Sequence, residues 1–244
     1  MRFVTRNRFR ALLCVALLAA VPPMSVAPVR AHDIWIERTD VGYCLLRGHR
    51  HSQHAGPDTV AYPPQAVSVF VAFDAAGDSV PGRLTATAPV TLAAGGMAAL
   101  AVLSTGYWTK TPYGTRNLPK DEVEQPLESW YSTEIVKRID AWSDALARPL
   151  SSLPELTPLE NPFRLEDGDK LGLRLTRNGA PVAGAIVAYG GRPRGTTGEE
   201  GCINIRLRRR GLQMIQASWR REVVSAKTDT EVHTSTLCFP LESR

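Results

Sequence analysis

Apolar residues recur at every second position along much of this chain. Val67, Val69, Val71 and Phe73 set a clean period of two, the pattern of a strand with one face on a core. Asp74 to Gly77 then supplies a turn. Residues 82–88, 90–92 and 98–104 follow as further short segments, with the spacing of an antiparallel sandwich. Earlier, residues 34–37 and 43–47 read as two strands joined by a turn at 40–42. Later, Leu171, Leu173 and Leu175 resume the alternation, and Asn178-Gly179 marks a hairpin turn. Segments at 181–189, 203–207 and 212–219 come next, and a last strand at 232–239 carries His233 on the same face as Leu237 and Phe239.

Between residues 106 and 158 the character shifts. Residues 106–112 and 116–120 are aromatic and loop-like. Ile135, Ile139, Trp142 and Leu146 stand at i, i+4, i+7 and i+11, the stripe of an amphipathic helix. Pro149 would end it, and its stripe is expected to pack on the sandwich. The proline-rich run 153–162 reads as a join. The expected fold is therefore mainly β: two antiparallel β-sandwich domains, residues 32–158 and 159–244, with one amphipathic helix in the connecting region.

Composition changes this picture at the N-terminus. Residues 1–31 hold Arg2, Arg6, Arg8 and Arg10, then the apolar run 11–21, then Val29-Arg30-Ala31, the layout of a secretory signal peptide. Cleavage after Ala31 is expected, giving an exported, periplasmic protein. The apolar run is too short to span a bilayer, and no later stretch is apolar enough, so the processed chain is not itself membrane-spanning. The leader carries five of the 29 basic residues and none of the 24 acidic ones, so the remaining 213 residues are formally neutral. That removes the basic face a nucleic-acid partner would need. Cys44, Cys202 and Cys238 remain after processing. Export permits one disulfide, with all three pairings open, and the alternative is three buried small side chains.

All five histidines lie beyond residue 31, four of them at 32, 49, 51 and 54. Cleavage after Ala31 would leave His32 with an α-amine and an imidazole, a ready two-nitrogen chelate. His49 and His51 project together if the chain stays extended through Arg50, whereas His54 needs a turn to join them. His233 could close the site if its strand packs near the N-terminus. Asp33 could orient an imidazole from behind. Nitrogen donors suit nickel, cobalt, copper or zinc. There is no Gly-x-Ser-x-Gly, no His-Glu-x-x-His and no phosphate loop, so the expectation is a binding protein rather than an enzyme.

Several stretches carry a resemblance. They are Ala31-His32-Asp33-Ile34-Trp35, Gly48-His49, Gly106-Tyr107-Trp108-Thr109-Lys110-Thr111-Pro112, Ser129-Trp130, Asp140-Ala141-Trp142-Ser143 and the run from Glu155 to Pro162. In these the chain resembles an exported bacterial family of unknown function described as the periplasmic component of nickel or cobalt uptake. Residues 178–185 and 195–201 are also similar to a carboxypeptidase-regulatory-type β-sandwich. The resemblance implies nickel held by the N-terminal His32 and by His49, with His51 and His54 additional, and an inner-membrane uptake transporter as partner. The rival expectations are a copper-binding protein or copper-dependent oxidative enzyme with a histidine brace, and a β-sandwich scaffold in which the histidines are incidental.

Overall fold

The computed structural model describes residues 32–51, 58–208 and 210–241. The expected leader, residues 1–31, and His54 lie outside the described residues. The strands, in chain order, are β1 (Asp33–Thr39), β2 (Gly42–Gly48), β3 (Val67–Phe73), β4 (Ser79–Val80), β5 (Arg83–Leu84) and β6 (Thr91–Ala93). Then come β7 (Ala98–Thr111), β8 (Gly114–Arg116), β9 (Glu128–Ile139), β10 (Glu155–Pro158), β11 (Lys170–Arg177) and β12 (Ala180–Pro181). The last are β13 (Ile186–Tyr189), β14 (Arg192–Thr196), β15 (Cys202–Arg206), β16 (Gly211–Glu222) and β17 (Thr230–Leu241). The only helical elements among the described residues are three single 3₁₀ turns, and no helix there is long and apolar enough to cross a membrane.

A nine-stranded sheet forms the middle layer, in the order β14-β13-β16-β17-β9-β7-β3-β4 with β8 attached to β7. Its long strands divide their residues between two cores by simple alternation. Leu100 and Val102 of β7, Ile135 and Ile139 of β9, and Leu237 and Phe239 of β17 enter one core. Ala99, Ala101 and Leu103, Val136, and Cys238 of the same strands enter the other. The first core is closed by the sheet of β10, β11, β12 and β15, through Leu156, Leu171, Leu173, Leu175 and Ile205. The second is closed by β1-β2-β6-β5, through Ile34, Trp35, Ile36, Tyr43, Leu45 and Leu92. The result is mainly β, as expected, in three layers instead of two sandwiches in series.

Two expectations fail, each for its own reason. The stripe read as a helix belongs to β9, which pairs antiparallel with β7 and parallel with β17. A spacing of four between Ile135 and Ile139 also puts them on one face of a strand. A strand buried on both faces loses its polar alternation, leaving nothing in the sequence to mark a period of two. Trp142 and Leu146 lie beyond its end, and Leu146 reaches the first core from a turn. The stretch read as a loop at 106–112 is largely the continuation of β7, paired to β9 through Lys110. A bulge between Ser104 and Gly106, where Gly106 takes φ 84°, shifts the alternation by one residue and hides it.

The segment expected to join two domains is itself interior. All four residues of β10 are buried, and Leu156 N–H donates to Ser235 Oγ of β17 at 2.8 Å. Residues on both sides of 158 therefore share one sheet and one core. The Asn178-Gly179 turn forms as expected, with φ of 50° and 76°, joining β11 to β12. Cys44, Cys202 and Cys238 are free thiols. Burial pushes the Cys238 thiol up to about 12, which keeps it inert.

Candidate metal centre

The β1–β2 hairpin lies over β9 and β17. Arg138 of β9 pins it, donating to Ile36 O at 3.0 Å and to Asp140 Oδ1 at 2.7 Å. Pairing runs from Thr39↔Gly42 at the turn to Asp33↔Gly48 at the open end. One step further places His32 beside His49. Their ring centroids stand 4.6 Å apart at 46°, as cross-strand neighbours on one face should.

Gly48 is required at this end. A Cβ there would lie 1.9 Å from Asp58 O, so only glycine lets residues 58–60 run against β2. His49 N–H donates to Asp58 O at 3.0 Å and Val60 N–H to Arg47 O at 2.7 Å. Tyr62 completes the brace, donating to Leu45 O and accepting from Val90 N–H.

Alternation sorts the polar residues of the hairpin end onto two faces. His32, Arg47 and His49 share the face of Ile34, which enters the second core. Arg47 Nη2 lies 3.1 Å from His32 Nδ1. A guanidinium has no acceptor, so Nδ1 accepts this bond and the neutral ring carries its proton on Nε2. Beneath them, on the face of β9 that also carries Val136, sits the half-buried Glu134. Burial raises its pKa to about 7, and the Thr234 hydrogen bond and the Arg47 charge only partly offset this. Arg47 also borders a largely apolar cavity with Leu46, Val60, Tyr62, Ala88 and Pro89.

Asp33, opposite Gly48, belongs to the other face. Its Oδ2 accepts from His51 N–H at 3.0 Å and lies 3.4 Å from His51 Nδ1. Burial alone would raise the Asp33 pKa, but the His51 hydrogen bonds, with the charges of His51 and His49, bring it below the ordinary value. His51 packs against the β13–β14 turn, where a Cβ on Gly191 would stand 3.0 Å from His51 Cβ. On the same side, Glu37 Oε1 accepts from Trp35 Nε1 and Arg50 Nη1, each at 2.9 Å.

His233 does not join this cluster. It lies on the face of β17 that carries Leu237 and Phe239, across the central sheet from β1 and β2. It stacks on Trp219 at 5.8 Å, its Nε2 lies 3.4 Å from Glu231 Oε2, and its Nδ1 is buried without a hydrogen-bond partner. Burial lowers its pKa, so it is a neutral imidazole lodged between sheet layers.

The structure thus brings His32 and His49 together, sets His51 against Asp33 and separates His233. Among the described residues, no three His, Cys, Asp or Glu side chains are grouped as metal ligands. Two imidazoles can hold an ion only with help, and cleavage before His32 would add its α-amine as a further nitrogen donor. Arg47 and Glu134 were missing from the sequence reading. Arg47 shares the strand face of His49, a signal alternation could have given, whereas Glu134 arrives from a strand far along the chain. No curated protein and no solved structure matches the chain. Residues 29–221 match the family described as a domain of unknown function, DUF4198, and the chain belongs to that family.

Proposed function

We propose that the protein, exported and cut before His32, binds a divalent transition metal through the His32 α-amine, the His32 imidazole and the His49 imidazole. The observation that carries this is the His32–His49 ring pair, 4.6 Å apart at the end of a braced hairpin. Nitrogen donors of this kind take nickel, cobalt, copper or zinc. Nickel is the first choice, since the chain resembles exported proteins of nickel or cobalt uptake, and its partner would then be an inner-membrane transporter. The role is to hold and present the ion, without catalysis. Copper is the second reading, because one amine and two imidazoles are also the donors of a histidine brace.

Mass spectrometry of the exported protein tests the first condition, since a chain starting anywhere but His32 removes the amine donor. Titration of the His32-start protein with nickel and copper tests the second. His32→Ala should weaken binding by about 100-fold or more, beyond the 10–100-fold typical of residues behind the ligands. Tighter copper binding accompanied by peroxide-dependent oxidation of a polysaccharide would turn the reading to the enzyme. Binding no better than millimolar would end it.

A further inference from the structure

We infer that Arg47 is a built-in competitor for the metal: its guanidinium holds the His32 ring nitrogen that a chelated ion would need and must swing away for an ion to bind. This inference rests on the metal-binding reading above.

An N-terminal histidine closes its chelate ring through the α-amine and Nδ1, because Nε2 points away from the backbone. Nδ1 of His32 is the atom that faces Arg47 Nη2 at 3.1 Å. One lone pair cannot serve a guanidinium N–H and a metal together. A divalent ion at Nδ1 would also stand within a few ångströms of a permanent positive charge, and Arg47 is only half-exposed, so solvent screens that repulsion incompletely. Arginine cannot remove the conflict by losing its proton.

The site offers the displaced guanidinium another partner. The carboxyl of Glu134, on the face of β9 that also carries Val136 in the middle sheet, lies within electrostatic reach of it. Movement of Arg47 from His32 to Glu134 would exchange an imidazole acceptor for a carboxylate. That exchange would offset part of the cost of admitting the ion. The Arg47 bond keeps the His32 ring in its Nε2–H tautomer, and it makes affinity depend on a residue that is not a ligand.

The test uses the His32-start chain and nickel chloride titrated against a chromogenic chelator, with Arg47→Met, Arg47→Lys and His32→Ala. Arg47→Met keeps the length of the stem and removes the cation, so nickel should bind about tenfold tighter or more. Arg47→Lys keeps the charge and should stay near the parent. Nitrogen NMR of the His32 ring gives a readout that folding alone would not move. The parent and Arg47→Lys should show an Nδ1 that accepts a hydrogen bond, and Arg47→Met a loss of that signature. If the parent binds nickel and Arg47→Met binds equally or more weakly, the competitor is overturned while the metal site stands. If Arg47→Met binds but the parent does not, Arg47 is a block that never swings away, and both the exchangeable competitor and metal binding by the native chain are overturned. If neither binds, both inferences fall.

Discussion

Strand β9 presents Lys137 to the first core and Glu134, together with the fully bonded Arg138, to the second, and Lys137 and Glu134 have opposite fates. Lys137, on the face of Ile135, is fully buried with Glu155. Its Nζ donates to Glu155 Oε1 at 2.9 Å and to Arg148 O at 2.8 Å. Glu155 in turn accepts from the N–H groups of Leu150 and Ser151 and from Ser151 Oγ. Every strong partner is present, so the pair is a structural clasp fastening residues 148–155 to the sheet. Burial still lowers the Lys137 pKa against the pull of Glu155. Glu134, three residues earlier on the opposite face, has one hydrogen bond from Thr234 and a cation within reach, and burial holds its pKa near 7. Complete satisfaction makes buried charge rigid. Incomplete satisfaction beside an exchangeable cation leaves groups that can change partners, and that is where the candidate site sits.

The sharpest way to break this contrast is to delete one carboxylate at a time. Glu155→Ala would strand the Lys137 ammonium and should cost about 3–5 kcal/mol in urea unfolding. Adding Lys137→Met should recover only part of that, because the Leu150 and Ser151 N–H groups still lose their acceptor. Glu134→Ala should cost less than about 1 kcal/mol at pH 8. Equal losses for the two glutamates would erase the distinction.

Gly48→Ala tests the brace that holds the hairpin end. The new methyl would collide with Asp58 O, and the expected cost is about 1–3 kcal/mol. Amide exchange should quicken at His49 and Val60, whose N–H groups bond across this contact. Exchange at Leu171 to Leu175, in the opposite outer sheet, should not change.

The pH dependence gives the finest test. Glu134 titrates near 7 in the fold against 4.5 ordinarily. Between those values the folded state keeps a proton that the unfolded chain has released, so stability falls as pH rises from about 4.5 to about 7 and then levels. Glu134→Gln should flatten that part of the profile, seen as a smaller drop in melting temperature between pH 5 and 7.5. His233 has the opposite sign. Its lowered pKa leaves the fold neutral while the unfolded chain takes up protons, so stability is lost as pH falls below about 6.5. The two slopes oppose each other below about pH 6.5, so each is read from its own variant: a profile left unchanged by Glu134→Gln or by His233→Gln would mean that the group in question is not held as the structure places it.

Legibility followed exposure. The outer strand β11 was readable from the alternation of Leu171, Leu173 and Leu175, β1 and β2 from short apolar runs on either side of a turn, and the Asn178-Gly179 turn from its residue types. The pairing of His32 with His49 was half-readable: the histidines were evident, and a hairpin could return one to the other. What failed was β9, whose Ile135 and Ile139 fit a helix and a strand equally well, and the far half of β7, where the bulge at Gly106 resets the count. The face of His233, shared with Leu237 and Phe239, was readable, but its layer was not, because alternation fixes the face of a residue within its strand and not which layer covers that face.

By itself, the sequence determined a mainly β chain, a histidine-rich hairpin end directly after a leader-like segment, and the residue types able to bind a transition ion. Those are local properties, written in periods of two and in chemistry. The tertiary structure alone decided that three layers form, that Arg47 meets Nδ1 of His32, that Glu134 lies beneath Arg47 and that His233 faces the other core. Each depends on which sheet face meets which, and the burial of apolar surface on both faces of the long central strands sets that globally.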